Sequence, residues 1–315
     1  MMLSKLATDA LKYLAALHKS PHTLSAYSIT FRQFEAHLTG TKGLADDCRH
    51  FSEETVMSFM VALHEDGANP NTIRARLSSL AFLAKYGARI RDGRGRAVVS
   101  GNPLAGVDRP KRKRPMEKWL APEELAAFLS VPVPPYISIA RDLLVDLALR
   151  VSELCALSWG EVIGIKGTYY VSVIAKGGNP ARVPLSPQVA EKLHAWFVSR
   201  NMPEPVEPVL TDGHGRRLGR GRLSYMMVSI GRKAGIRRFP VTAHVLRHTM
   251  NVIRRQGGID SMTRSALLTH TNPSSIIAYE HVDPSELVAA RAQQQRALAA
   301  YLKNVNPSTQ GELPA

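Results

Sequence analysis

Four segments in the second half of the chain carry side chains that structural roles alone do not readily explain. Arg150 lies among apolar residues of the stretch Leu147-Ala148-Leu149-Arg150-Val151, and a buried arginine needs partners. His244 and Arg247 are spaced i, i+3, so on a helix they share one face. The other candidates are a turn lysine, a histidine and a tyrosine: Lys176, His270 and Tyr279. Together these types supply the nucleophile, cationic donors, base and acid that breaking a phosphodiester without a metal requires.

Each of these residues has a plainer explanation when it is taken alone. Arg150 could form a local ion pair with Glu153, and Lys176 could be an ordinary solvated lysine at the tip of a β turn. The pair of His244 and Arg247 could be a chance arrangement on a helix surface. A single tyrosine in a helical stretch is more often packed in a core than catalytic. Only the ordered combination of all six residues favours a reaction over these alternatives.

That order, Arg, Lys, His-x-x-Arg, His and Tyr, resembles the tyrosine recombinase or phage integrase family. The separations of 26 residues from His244 to His270 and 9 residues from His270 to Tyr279 are similar to those of the bacterial Xer-type site-specific recombinases. Two positions depart from the family pattern, because Leu147-Ala148 stands for Thr-Gly and Leu268-Thr269-His270 stands for Leu-Gly-His. Each departure replaces a glycine with a larger residue, so the local backbone could differ. Neither departure removes a catalytic side chain.

The resemblance implies a role for each residue. Tyr279 would be the nucleophile, Arg150 and Arg247 would grip the scissile phosphate, and His270 would add a third donor. His244 would orient or deprotonate the tyrosine, and Lys176 would protonate the departing 5′ oxygen. Glu153 would be a structural partner that orients Arg150. The reaction exchanges one phosphodiester for a 3′-phosphotyrosyl ester and back, so neither a metal nor ATP nor another cofactor is expected.

The charge of the chain predicts a polyanionic partner. The formal net charge is +15, and nucleic acid is the commonest polyanion inside a cell; an ordinary basic enzyme is the alternative. The basic run from Lys111 to Arg114 lies between two prolines. It would gain favourable charge interactions by lying along a phosphate backbone, and the alternative is that it is merely solvated. A glycine-rich stretch at 213–222 is interpreted as a second DNA-contacting segment. The candidate DNA-binding residues are Lys111, Arg112, Lys113, Arg114, Arg216, Arg217, Arg220 and Arg222.

Apolar spacing and cap residues predict a mostly α fold with a small β-sheet in the C-terminal part. Helices are expected from residue 3 to 18, from Ser20-Pro21, from Phe51 to His64 and from Asn69-Pro70 to Gly87. Further along, the predicted helices are Pro122 to Leu129, Ile137 to Leu149 and Val151 to Leu157, followed by strands at Tyr169 to Ile174 and Ala181 to Leu185. Helical patterns then continue to about residue 303.

The expected domains are a helical core-binding domain at 1–101, a basic linker at 102–116, a catalytic domain at 117–303 and a flexible tail at 304–315. The resemblance implies that the two domains form a C-shaped clamp on double-stranded DNA. Because little room precedes residue 3, a further arm-binding domain is not expected. The two cysteines, Cys48 and Cys155, form no zinc pattern, and neither a signal peptide nor a membrane span is evident, so a cytoplasmic protein is expected.

The resemblance also implies a homotetramer, because strand exchange between two duplexes needs four cuts. The helix from about Pro284 to Lys303 could pack on its own domain or dock into a neighbouring catalytic domain, and the second arrangement is the expectation. Three rival functions are a non-catalytic DNA-binding protein, a type IB topoisomerase and a helix-turn-helix regulator. The sequence identifies neither the DNA site nor the biological setting, which could be chromosome-dimer resolution or plasmid, transposon or phage recombination.

Overall fold

The computed structural model describes residues 1–113, 118–165, 167–174, 180–268 and 284–303. The chain divides into two compact units, Met1–Pro115 and Met116–Ala315. Among the described residues, helices dominate and a single small sheet accompanies them, as expected for the fold class. No helix in this part of the chain is both long enough and apolar enough to cross a membrane.

The first unit consists of helices and short helical turns, and a capping side chain precedes most of them. They are α1 (Leu3–Ala16), α2 (Pro21–Ala36), a π-helical turn (His37–Thr41), a 3-10 turn (Cys48–His50), α3 (Glu53–Glu65) and α4 (Pro70–Gly87). Ser20, Ser52 and Asn69 precede α2, α3 and α4, and each accepts a hydrogen bond from a backbone N–H of the first turn. Such side-chain acceptors satisfy amide groups that have no partner within the helix.

Aromatic and aliphatic side chains from all four α-helices fill the core of the first unit. The ring of Phe34 lies 5.2 Å from that of Phe51 and 5.3 Å from that of Phe59, centroid to centroid. Val107, which the sequence places in the linker, is also buried in this core. Residues 102–113 therefore pack on the first unit instead of leaving it as a free linker.

The second unit places a three-stranded antiparallel sheet among helices. Its elements are α5 (Pro122–Ser130), α6 (Pro135–Leu147), α7 (Val151–Ala156), a 3-10 turn (Trp159–Glu161), β1 (Val162–Ile165), β2 (Thr168–Ile174), β3 (Pro180–Pro184), α8 (Pro187–Ser199), α9 (Arg220–Lys233), α10 (Ala243–Gln256), α11 (Ser261–Leu267) and α12 (Pro284–Lys303). The sheet order is β1-β2-β3, with Val162 opposite Val171 and Val171 opposite Val183. The sequence interpretation missed β1, because four residues including Gly164 carry too little alternation to predict a strand.

Helix α12 packs on its own unit, so the expectation that it docks into a neighbour is wrong for this helix. Leu287, Ala290 and Tyr301 are buried in the core of the second unit, and the Tyr301 hydroxyl donates to the Leu120 carbonyl at 2.7 Å. The glutamines between its apolar ends also contact the unit: Gln293 donates to the Gly257 carbonyl at 2.7 Å. Buried polar contacts of this kind favour an intramolecular position, because exposing them would leave polar groups without partners.

Candidate active site

Arg150 lies at the junction between α6 and α7, as the residue that precedes the first turn of α7. Its backbone N–H donates to Glu153 Oε2 at 2.8 Å, and its Nη1 donates to Glu153 Oε1 at 2.5 Å. The Arg150 side chain is 32% exposed, whereas that of Glu153 is 7% exposed. The buried carboxylate therefore orients the arginine, whose side chain is only partly buried.

Ala148 ends α6 in the left-handed conformation, with φ of 54° and ψ of 31°. This conformation usually selects glycine, because a Cβ is crowded there. Ala148 stands where the family pattern has a glycine. The backbone at this position is nevertheless left-handed, the conformation that glycine adopts most readily. An alanine in place of glycine raises the free energy of this turn. It does not change the left-handed conformation through which the chain enters Arg150.

Arg247 is buried in α10, with 7% of the residue exposed, and it bridges the ends of two other helices. Its Nη1 donates to the Ala148 carbonyl at 2.8 Å, and its Nη2 donates to the Leu268 carbonyl just after α11. Ala148 is two residues before Arg150, so the structure brings both arginines to one turn.

His244 lies one turn before Arg247 on α10, on an exposed position of the helix. Partial desolvation of the ring lowers the pKa of His244, and the positive charges of Arg247 and His248 lower it further. The imidazole is therefore kept neutral to more acidic pH than an ordinary histidine. A neutral ring can accept a proton, as a general base must.

Three of the six predicted catalytic residues, Lys176, His270 and Tyr279, lie outside the described residues, as does the basic residue Arg114. The described neighbours of Lys176 are the strands β2 and β3, which end at Ile174 and begin at Pro180. Of the six residues, the structure thus places Arg150, His244 and Arg247, which it brings to the α6–α7 junction and the first half of α10.

Arg217 is exposed, and its guanidinium also has structural partners that the DNA-contact interpretation did not predict. Its Nη1 donates to the carbonyls of Cys155, Ala156 and Leu157 at 2.7 to 3.1 Å, and its Nη2 donates to Ser158 Oγ at 2.8 Å. These carbonyls end α7, where the helix dipole favours a cation. Arg217 therefore caps α7, which a glycine-rich basic sequence gives no means to predict.

The remaining basic candidates that the structure describes are exposed. Arg216 pairs with Asp212 at 3.0 Å but keeps 72% of its side chain exposed, and Arg220 and Arg222 lie exposed in the first turn of α9. The exposed side chains of the run before residue 114 are Lys111, Arg112 and Lys113. All six could reach a phosphate backbone, subject to the local ion pair in the case of Arg216.

Arg216 belongs to a turn that recurs in the first unit. Asp212 Oδ1 accepts from the backbone N–H groups of His214 and Arg216, at 2.9 and 3.1 Å. In the segment Asp92-Gly93-Arg94-Gly95-Arg96 the carboxylate of Asp92 accepts from Arg94 and Arg96 in the same way, at 2.8 and 2.9 Å. Both turns follow the pattern Asp-Gly-x-Gly-Arg, and their second glycines share a φ of +77°. The sequence interpretation did not detect this repetition.

Sequence reasoning also missed a buried polar cluster behind the α6–α7 junction. Arg254 and Arg291 donate there to the last carbonyls of α6 and to Gln294. The only signal in the sequence was that Arg254 follows Arg247 by seven residues, two turns of helix, and so shares its face of α10. The contacts with α12 could not be read from any local pattern.

Comparison with known proteins identifies one family. The profile described as the phage integrase family matches residues 118–286, more than half of the chain. Among curated relatives, the chain is similar to the tyrosine recombinase XerC of Erythrobacter litoralis (strain HTCC2594), with 28% identity over 269 residues that cover 82% of this chain and 84% of the relative.

Solved structures share the fold at lower sequence identity. The XerH site-specific recombinase bound to its difH substrate, in a pre-cleavage complex, aligns with a TM-score of 0.67 and 19% identity over 92% of this chain and 84% of that one. A lambda integrase tetramer bound to a Holliday junction aligns with a TM-score of 0.67 and 19% identity over 91% of this chain and 78% of that one. At such identities the likeness concerns the fold.

Proposed function

This chain belongs to the phage integrase family and is a site-specific tyrosine recombinase, and on that premise we propose that Tyr279 cleaves DNA to form a 3′-phosphotyrosyl intermediate. The observation that carries the proposal is the shared turn of the two arginines. Arg247 donates to the carbonyl of Ala148, two residues before Arg150. Two guanidinium groups held at one junction suit a single phosphate, whose non-bridging oxygens gain charge-assisted hydrogen bonds as the bond to the nucleophile forms.

The other candidates complete the reaction. Neutral His244 orients the phenol of Tyr279 or takes its proton, which the lowered pKa of the histidine supports. Lys176 donates a proton to the departing 5′ oxygen, and His270 adds a donor to the phosphate. Glu153 positions Arg150 through its two hydrogen bonds. The attack forms the bond from the phenolic oxygen to phosphorus and breaks the bond from phosphorus to the 5′ oxygen; rejoining reverses both changes.

DNA is the proposed partner, and the exposed cations of both units are its proposed contacts. The two units, Met1–Pro115 and Met116–Ala315, would close on the duplex as a C-shaped clamp. Four protomers would assemble on two short sites and exchange strands through a Holliday junction, in integration, excision or resolution. The lambda integrase tetramer on a Holliday junction, which has the same fold, supports this assembly. Since α12 packs on its own unit, the contacts between protomers would come from other parts of the chain.

The direct test compares two tyrosine variants on nicked suicide substrates made from DNA that flanks the gene, at a position where the wild type forms an adduct. Tyr279→Phe should abolish the covalent protein–DNA adduct on a denaturing gel while leaving DNA affinity nearly unchanged, because affinity comes mainly from phosphate neutralisation. Tyr225→Phe, at a tyrosine that is 71% exposed on α9, is the matched control and should retain the adduct. Adducts that persist in Tyr279→Phe would exclude this tyrosine as the nucleophile.

A further inference from the structure

The C-terminal end of α6 is surrounded by buried polar side chains from two later helices. The Asp146 carbonyl accepts hydrogen bonds from Arg254 Nη2 at 3.1 Å, from Gln294 Nε2 at 3.0 Å and from Arg291 Nη1. Arg254 Nη2 also donates to the Leu147 carbonyl at 3.3 Å. We name Asp146, Arg254, Arg291 and Gln294 the α6 anchor cluster; the four residues are at most 2% exposed.

The cluster continues a row of arginines that begins in the candidate active site. Arg247 and Arg254 lie two turns apart on α10, and they donate to consecutive carbonyls at the end of α6: Ala148 for the first, Leu147 and Asp146 for the second. The last carbonyls of a helix have no partner within the helix, so these arginines satisfy them. The backbone that leads into Arg150 is therefore held from behind by the anchor cluster.

Helix α12 is tied to the same place. Gln294 Oε1 accepts from Arg254 Nε at 2.7 Å and from Arg291 Nη1 at 2.8 Å, and Arg291 Nε donates to the Pro184 carbonyl at 2.7 Å. In the sequence, α12 begins five residues after Tyr279. The cluster thus joins the helix that follows the proposed nucleophile to the turn that carries Arg150.

The composition of the cluster is poorly explained by stability alone. Two guanidinium groups face one carboxylate, that of Asp146, which is 4.0 Å from Arg291 Nη1. Arg254 Nη1 and Arg291 Nη2 are buried with no hydrogen-bond partner among the described residues. Burying unbalanced charge is costly, and apolar residues of similar volume often serve stability equally well. A role in holding the geometry of the site accounts for charged residues here.

We propose that Arg254, Arg291 and Gln294 are positioning residues, which hold the α6–α7 junction so that Arg150 and Arg247 converge on the scissile phosphate. The inference rests on the proposed function, since it assigns these residues to the phosphate-binding step of that reaction. They touch neither substrate nor nucleophile, and they act through the backbone of residues 146–148. Loss of the cluster would shift that backbone and misplace both guanidinium groups.

The test measures single-turnover cleavage by Arg254→Met and Arg291→Met at saturating protein. Each should cleave a suicide substrate about 10- to 100-fold more slowly than the wild type, the scale of a misplacement near 1 Å, while DNA affinity stays within about threefold. Arg141→Met is the matched control. Arg141 is also buried and donates to the Phe128 and Val131 carbonyls, but these lie at the C-terminal end of α5 and not at that of α6. The control should cleave at the wild-type rate.

A second substrate distinguishes positioning from general damage. Replacing the scissile phosphate with an uncharged methylphosphonate removes the negative charge that the arginine pair neutralises, so misplaced arginines should matter less. The defect of Arg254→Met relative to the wild type should shrink to within about threefold on this substrate. Gln294→Met, which changes no formal charge, should show the same dependence on the substrate if an arginine variant does not fold.

The outcomes distinguish failure of the positioning role from failure of the proposed function. Equal defects on both substrates, or wild-type cleavage by all three cluster variants, would overturn the positioning role. The proposed function itself would fail differently: the wild type would form no adduct, or Arg150→Ala would cleave normally. In a double-mutant cycle, the defects of Arg254→Met and Arg150→Ala should be less than additive, because part of the Arg254→Met defect acts through Arg150.

Discussion

Arg150 and Arg247 meet at one turn but differ in how they are held. Arg150 pairs with a buried carboxylate and is 32% exposed, whereas Arg247 is buried and donates to two backbone carbonyls. A carboxylate neutralises part of the charge it orients, and a carbonyl does not. Glu153 therefore controls the direction of the Arg150 guanidinium, and backbone carbonyls control that of Arg247.

His244 gives a prediction about pH at the same scale. Desolvation, Arg247 and His248 lower its pKa below the ordinary value of 6.5. The measurement is the second-order rate constant for cleavage at subsaturating protein, which reports the free enzyme. If the neutral ring is the active form, this rate constant should fall as the pH drops through a midpoint below 6.5. His244→Gln should remove this acid limb, and His194→Gln, at an exposed residue of α8, should keep it. A midpoint above 6.5 would contradict the assignment.

At the scale of elements, side chains from distant segments satisfy the ends of α6 and α7. Arg217 caps α7, and Arg247 and Arg254 cap α6. The junction between these helices carries Arg150 and includes a left-handed alanine, so its backbone is held by tertiary contacts instead of by glycine. The geometry of the site thus depends on helix ends that are fixed from outside their own helices.

Two neighbouring arginines should therefore respond differently to the same substitution. Arg217→Ala should lower the free energy of unfolding by about 1–3 kcal/mol, because it leaves the α7 carbonyls without a charged donor. Arg222→Ala, at an exposed residue of α9, should leave stability within about 0.5 kcal/mol and weaken DNA binding at low salt. Urea unfolding and a binding titration measure the two effects. If the two variants lost equal stability, the capping role of Arg217 would be excluded.

At the scale of the whole molecule, the basic run before residue 114 is docked on α4 through its own backbone. Arg74 Nη1 donates to the Pro110 carbonyl at 2.9 Å, and Asn71 Nδ2 donates to the Lys113 carbonyl at 2.7 Å. Since the docking uses main-chain acceptors, the side chains of Lys111, Arg112 and Lys113 remain exposed. The backbone of these three cationic residues is thus held on the first unit and does not form a free linker.

Replacing these three cations with alanine should change salt dependence without changing the fold. The slope of log affinity against log salt should flatten by up to about three, close to one per lost phosphate contact. The unfolding midpoint should not move, because the backbone contacts with α4 remain. A triple alanine variant of Lys5, Lys12 and Lys19, which are exposed in or just after α1, is the control for net charge. If both triple variants flattened the slope equally, the basic run would contact the phosphate backbone no more than other exposed lysines do.

The sequence by itself determined those features of this protein that depend on local chemistry. Cap residues predicted where helices start, as at Ser52 and Asn69, because an N-cap depends on residues within one turn. Alternation predicted two of the three strands. The order of the six candidates, with the separations from His244 to His270 and from His270 to Tyr279, indicated the family, which the match over residues 118–286 confirmed.

Other features were decided only by tertiary contacts. The position of Arg217 at the end of α7, about 60 residues earlier in sequence, is one of them, while its expected contact with DNA stays a prediction. Helix α12 was expected on a neighbour, yet its glutamines and Arg291 meet α6 almost 150 residues earlier. A basic or amphipathic pattern indicates that a side chain needs a partner. It does not identify the partner, because the packing of distant segments determines which groups come into contact. The residues that anchor the α6–α7 junction are for that reason visible only in the folded chain.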